Sequence, residues 1–116
     1  MKRNWDMIRE ILLRVEELEP NALLTLESFA STEYNEVSYH LEILQEAGLL
    51  HGTIHKTPGG STHNFHLIRL TWLGHDLLES IRSETTWQAI KEQLHAKNIG
   101  MKIDTIMAIA QTLSSK

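Results

Sequence analysis

The residues best suited to chemistry in this chain are its histidines. Five of the seven lie between positions 49 and 75, in a stretch that also holds Lys56 and Arg69 and no acid. His51 and His55 are four apart and share one face of an extended segment, and His63 and His66 follow beyond a glycine-rich turn, so a hairpin would bring several imidazoles together. Imidazole is a common metal ligand. The chain has no cysteine, however, and the stretch has no Asp or Glu to complete a ligand set. The expectation is a polar, His-rich hairpin with no metal and no cofactor. Catalysis finds little footing either. No carboxylate pair is set off from the helix surfaces, and no Ser, His and Asp stand in a recognisable order. Thr57-Pro58-Gly59-Gly60-Ser61 lacks the lysine and following helix of a phosphate-binding loop. The sequence therefore reads as non-enzymatic.

The elements that position the hairpin follow from periodicity. Trp5, Ile8, Ile11, Leu12, Val15 and Leu18 recur at helical spacing, with Asn4 as a cap and Pro20 as a stop. Residues Asn21–Ala30 fit either a short strand or a helical turn. Ser31 or Thr32 can cap a second helix with Val37, Leu41, Leu44 and Ala47 as its buried stripe, ended by Gly48. Leu49–Lys56 reads as a strand, Thr57–Thr62 as a turn and Phe65–Leu70 as the returning strand, Arg69 on one face and Ile68 and Leu70 on the other. Thr71 can cap a helix through about Arg82, with Leu73, Leu77, Leu78 and Ile81 inward. Thr85 or Thr86 caps another, carrying Trp87, Ile90 and Leu94, broken by Gly100. Ile103, Ile106, Met107, Ala110 and Leu113 mark one face of a last helix, while Ile99, Met101 and Ile109 fall off that stripe.

The chain has 116 residues, 41% of them hydrophobic and 22% charged, which fits one globular domain and excludes a disordered chain. Charge is uneven. Residues 1–48 hold four basic and ten acidic side chains, and residues 76–116 hold five of each. No apolar run approaches the length needed to span a bilayer, and none follows Met1-Lys2-Arg3 as a signal peptide requires, so the expectation is a cytoplasmic protein with no membrane partner.

Helix, short ambiguous segment, capped helix, glycine, strand, glycine-rich turn and strand is the winged-helix order. Within it, Ser38-Tyr39-His40-Leu41 through Leu44 to Ala47-Gly48-Leu49 is similar to the recognition helix and first wing strand of arsenic-repressor-like regulators. Leu70-Thr71-Trp72-Leu73-Gly74 is similar to the Leu-Thr-x-x-Gly stretch that follows the wing in several such families. Over nearly its full length the chain also resembles the bacterial and phage family called domain of unknown function 2513. The likeness is carried by Met1-Lys2-Arg3 with Asp6 and Ile8-Arg9, by the two runs just quoted with His75, and by Thr86-Trp87. That resemblance implies phage or prophage origin and no particular activity. The expected fold is α+β and mostly α. It comprises a winged helix-turn-helix core over residues 1–82, its wing hairpin at about 49–70, and two extra C-terminal helices over residues 83–116. A full winged helix places a separate helix before the recognition helix, and here only Asn21–Ala30 is available for it.

With the Val37 stripe inward, the outer face of the second helix carries Asn35, Ser38, Tyr39, Glu42 and Gln45. Ser38 and Tyr39 can donate to phosphates, and Asn35 or Gln45 can read a base edge. Lys56, Ser61, Thr62 and His63 would reach the DNA backbone or minor groove from the wing. Against this stands charge: Glu33, Glu36, Glu42 and Glu46 share the helix with no Lys or Arg, and phosphate neutralisation supplies most non-specific affinity. Two partners stay open. One is double-stranded DNA, bound by a transcriptional regulator, and the other a basic protein surface, bound by an acidic interaction module. A homodimer through the last helix suits either.

Overall fold

Asn4 opens the first helix as its type suggests, its Oδ1 accepting from the Met7 amide at 3.1 Å. This satisfies one of the donors that every helix start leaves without an intrahelical partner. A computed structural model describes residues 2–19, 24–25, 29, 33–56 and 62–114, and for 25, 54–56 and 62–67 it describes the backbone alone. Helix α1 is Trp5–Glu16 and ends earlier than Pro20 alone would require. Met7, Ile8, Ile11, Leu12 and Val15 are buried, whereas Trp5 and Leu18, expected on the inner stripe, are half-buried.

The ambiguous segment contains a strand, β1, at Leu24–Thr25. Helix α2 is Tyr34–Glu46, β2 is Leu50–Lys56 and β3 is Thr62–Leu70. The strands form one small antiparallel sheet in the order β1-β3-β2. The expected hairpin between Leu49 and Leu70 is present, with Leu50 opposite Leu70 and Lys56 opposite Thr62, although β3 begins three residues earlier than its apolar alternation indicates. Ile68 and Leu70 are buried and Arg69 is exposed, as the two-residue period requires.

The chain divides into two compact units, Met1–His75 and Asp76–Lys116. In the first, α1 packs on α2 and β3, and α2 packs on β2. In the second, α4 (Glu84–Ala96) packs on α5 (Ile103–Ser114). Helix α3 (Trp72–Ile81) carries the chain from one unit to the other. The described fold is thus α+β and mostly helical.

Several details differ from the periodicity. Ala47 is exposed, and the fourth member of the α2 inner face is His40, which is fully buried. Helix α2 starts from Glu33, which makes no side-chain cap bond; Ser31 and Thr32 lie outside the described residues. Leu73 is 40% exposed. Ser83, and not Thr85 or Thr86, caps α4, its Oγ accepting from the Thr86 amide at 3.3 Å. Helix α4 closes at Asn98, before Gly100 is reached. Asn98 takes φ +54°, and Ile99 N–H donates to Leu94 C=O at 2.9 Å. Asparagine tolerates this left-handed turn because its short polar side chain hydrogen-bonds locally. On α5, Ile106 and Ala110 are buried while Ile103, Met107 and Leu113 are half-buried; Ile99 is 46% exposed.

Candidate functional site

The candidate surface is built on α2 and the hairpin that follows it, so the junction between them fixes its geometry. Gly48 ends α2 with φ +80°. Its amide donates to Gln45 C=O at 3.0 Å and the Leu49 amide to Leu44 C=O at 2.9 Å, the paired bonds of a Schellman cap. The same turn is gripped from the far end of the hairpin. Thr71 N–H donates to Leu49 C=O at 3.0 Å, the Thr71 hydroxyl donates to Gly48 C=O, and Thr71 Oγ1 accepts from the Gly74 amide at 3.0 Å. Gly74 is required here by space: a Cβ on it would lie 2.2 Å from the Leu49 carbonyl oxygen. The Ala-Gly-Leu and Leu-Thr-x-x-Gly runs are therefore two halves of one joint. They close the hairpin at its base and set the angle at which α2 enters it.

A second fastening holds α2 to the start of α1. The fully buried His40 ring places Nδ1 2.7 Å from Glu36 C=O and Nε2 2.8 Å from Asn4 N. Asn4 N–H can only donate, so Nε2 accepts and Nδ1 carries the proton. The buried stripe read from the sequence was Val37, Leu41, Leu44 and Ala47, without His40. The signal for His40 was nevertheless present, because positions 37, 40, 41 and 44 follow the i, i+3, i+4, i+7 pattern of a buried face. A polar residue type hid it.

On the opposite face Asn35 is exposed, and Ser38, Tyr39, Glu42 and Gln45 are half-buried. Of the five, only Asn35 is as open as the expected outer face requires, and the other four are partly covered. Glu33 and Glu36 lie at the N-terminal end, where the helix dipole favours acids, but Glu46 is exposed at the C-terminal end with no basic residue in the last turn. The surface is acidic. Lys56, Thr62 and His63 are on the hairpin strands, and their side chains lie outside the described residues, as does Ser61 entirely. The structure therefore gathers the α2 positions on one face and describes only the backbone positions of three wing residues. Among the described residues no group of three His, Asp or Glu is arranged to hold a metal ion, and the side chains of His55, His63 and His66 fall outside that description. Among those residues, too, no helix is long and apolar enough to cross a membrane. Trp72, beside the Thr71 joint, is 85% exposed, a feature that periodicity did not single out.

A family model described as hypothetical protein DUF2513 matches residues 2–100. The chain belongs to the DUF2513 family. The matched stretch of this DUF2513 protein takes in α1 to α4, the Thr71 joint and His40, and stops short of α5. The DUF2513 protein is also 39% identical over 119 residues to an uncharacterised protein of Haemophilus influenzae, across all of this chain and 98% of that one. No solved structure matches it significantly.

Proposed function

We propose that this is a winged-helix protein that binds duplex DNA as a non-enzymatic regulator, in the cytoplasm and of phage or prophage origin. The observation that carries the reading is the strand order β1-β3-β2. A winged helix folds its two wing strands back so that the second lies beside a short strand following the first helix, and the helix entering the wing is the one presented to DNA. Leu24–Thr25 stands beside β3, and α2 runs directly into β2. On that reading the outer face of α2 enters the major groove. Asn35 and Gln45 reach base edges, Ser38 and Tyr39 reach phosphates, and Lys56, Ser61, Thr62 and His63 approach the backbone from an acid-free wing. A second copy, joined through the half-buried apolar side chains of α5, would double the DNA-facing surface and suit a two-fold operator.

One observation favours a second reading. The acids of α2, with no cation among them, suit a basic protein surface better than phosphates. A gel-shift titration on random duplex at low salt separates the two. DNA binding predicts retardation in the micromolar range typical of non-specific complexes. Absence of retardation at about 100 μM protein defeats it, that being near the weak end of non-specific affinity. The double variant Glu42→Lys with Glu46→Lys sharpens the test. If α2 approaches phosphates, the variant binds DNA more tightly, with a salt dependence steeper by up to about 0.9 in log–log slope for each phosphate newly neutralised. If α2 faces a basic partner, the same variant weakens that complex.

A further inference from the structure

Helix α2 has no Lys or Arg, and phosphate neutralisation supplies most non-specific affinity for DNA. If α2 enters a groove, the charge has to come from a neighbouring element. Four cations precede Gly48. Arg14 is bound to Glu10 at 3.0 Å, and Arg9 has a partner of its own. Lys2 and Arg3 differ from these two. Both are exposed, and both lie just before the Asn4 cap, outside α1.

Two contacts fix where they stand. The first is the bond from Asn4 N–H to His40 Nε2 at 2.8 Å, which pins the residue after Arg3 to the middle of α2. The His40 ring in turn meets the Tyr39 ring edge-on, with centroids 5.4 Å apart, and Tyr39 belongs to the proposed DNA-facing set. An extended chain advances at most about 3.6 Å per residue. The backbone of Lys2 and Arg3 therefore stays within about 7 Å of Asn4, less than the width of one helix with its side chains. The second contact is on Arg3 itself, whose guanidinium carbon stands 5.6 Å from the centroid of the half-buried Trp5 ring. A cation–π contact holds a guanidinium by its face and uses none of its N–H donors.

We propose that Lys2 and Arg3 form a phosphate-binding arm along the Tyr39 flank of α2, on the same duplex whose major groove α2 enters. The inference rests on the DNA reading above. A helix about 10–12 Å across fills a major groove about 12 Å wide, so a sugar–phosphate strand passes along each of its flanks. The start of α1 stands on one of those flanks. The arm also offsets the acids of α2, because the carbonyl of Glu36 holds the other nitrogen of the His40 ring. Phosphate contacts fix register and carry no sequence information directly, so base reading stays with Asn35 and Gln45.

The test is fluorescence anisotropy of a labelled random duplex with the full chain, between about 50 and 200 mM salt. Lys2→Gln with Arg3→Gln is compared with Lys97→Gln with Lys102→Gln, which removes the same charge from two exposed positions of the second unit. The arm variant should lower the log–log salt slope by about 0.9 for each phosphate released, up to about 1.8 for both, and weaken binding at least about fivefold at the lowest salt. The control should change each quantity by less than half as much. The exchange Lys2→Arg with Arg3→Lys keeps both charges and should keep the wild-type slope. The bond to His40 comes from the Asn4 backbone, so the amide spectrum of every variant should remain that of the folded protein. An arm variant with the wild-type slope and affinity, or one that binds no more weakly than the control, overturns the arm and leaves DNA binding by α2 standing. A wild-type protein that does not bind the duplex overturns the DNA reading and the arm with it.

Discussion

Gly74→Ala sets two physical effects against each other, and the structure decides which wins. Gly74 lies in the first turn of α3. On intrinsic propensity alone, alanine in a helix is better than glycine by about 1 kcal/mol. The new methyl group, however, would stand 2.2 Å from the Leu49 carbonyl oxygen and 3.1 Å from its carbonyl carbon, about 1 Å inside ordinary contact. The obstacle is backbone, so no side chain can swing away. Leu49 C=O also accepts from Thr71 N–H at 3.0 Å, so moving it strains the joint that closes the hairpin. Overpacking of this kind costs about 1–3 kcal/mol, and a weakened hydrogen bond adds about 1 kcal/mol. After the propensity gain, the net loss is about 1–3 kcal/mol, equivalent to a fall of roughly 5–15 °C in Tm for a unit of this size. Urea and thermal unfolding followed by circular dichroism measure it. Gly100→Ala is the control, because a Cβ there meets nothing within 4 Å, and it should change stability by no more than about 0.5 kcal/mol. A Gly74→Ala variant that unfolds at the wild-type temperature or above refutes the reasoning.

Two further perturbations probe the frame beneath the candidate surface. His40→Ala removes a fully buried ring and leaves Asn4 N–H without its acceptor; it should cost about 2–4 kcal/mol, with faster amide hydrogen exchange at the start of α1 as the local sign. Thr71→Val keeps the shape of the side chain and deletes its hydroxyl, which both donates to Gly48 C=O and accepts from Gly74 N–H. It should lower stability by about 1–2 kcal/mol, while Thr71→Ser, measured in the same unfolding assay, should retain most of it.

Which parts were legible follows from which signals are local. The cap at Asn4, the turn at Gly48 and the Thr71 start of α3 depend on residue types a few positions apart, and the structure has all three. The hairpin was legible because a glycine-rich turn separates two apolar runs. The strand at Leu24–Thr25 was not, since its partner is β3, forty residues on, and two residues of extended chain carry no period. The inward turn of His40 follows helical spacing, but its reason is Asn4, thirty-six residues away. The exposure of Ala47 and Leu73 has the same origin, because a stripe predicts which residues can face inward and only the neighbouring elements decide how wide the covered face is. For the candidate site, the sequence placed five α2 positions opposite the buried stripe, of which Asn35 is exposed and Ser38, Tyr39, Glu42 and Gln45 are half-buried. It could not weigh the acids of that helix against a partner that sequence does not contain.

Whether α2 and the wing meet duplex DNA is tested most directly by recording the amide spectrum of the protein while a short duplex is added at low salt. The expected result is that signals of Asn35, Ser38, Tyr39 and Gln45 move together with those of Lys56, Thr62 and His63. Signals confined to α4 and α5, or an unchanged spectrum at saturating duplex, would contradict it.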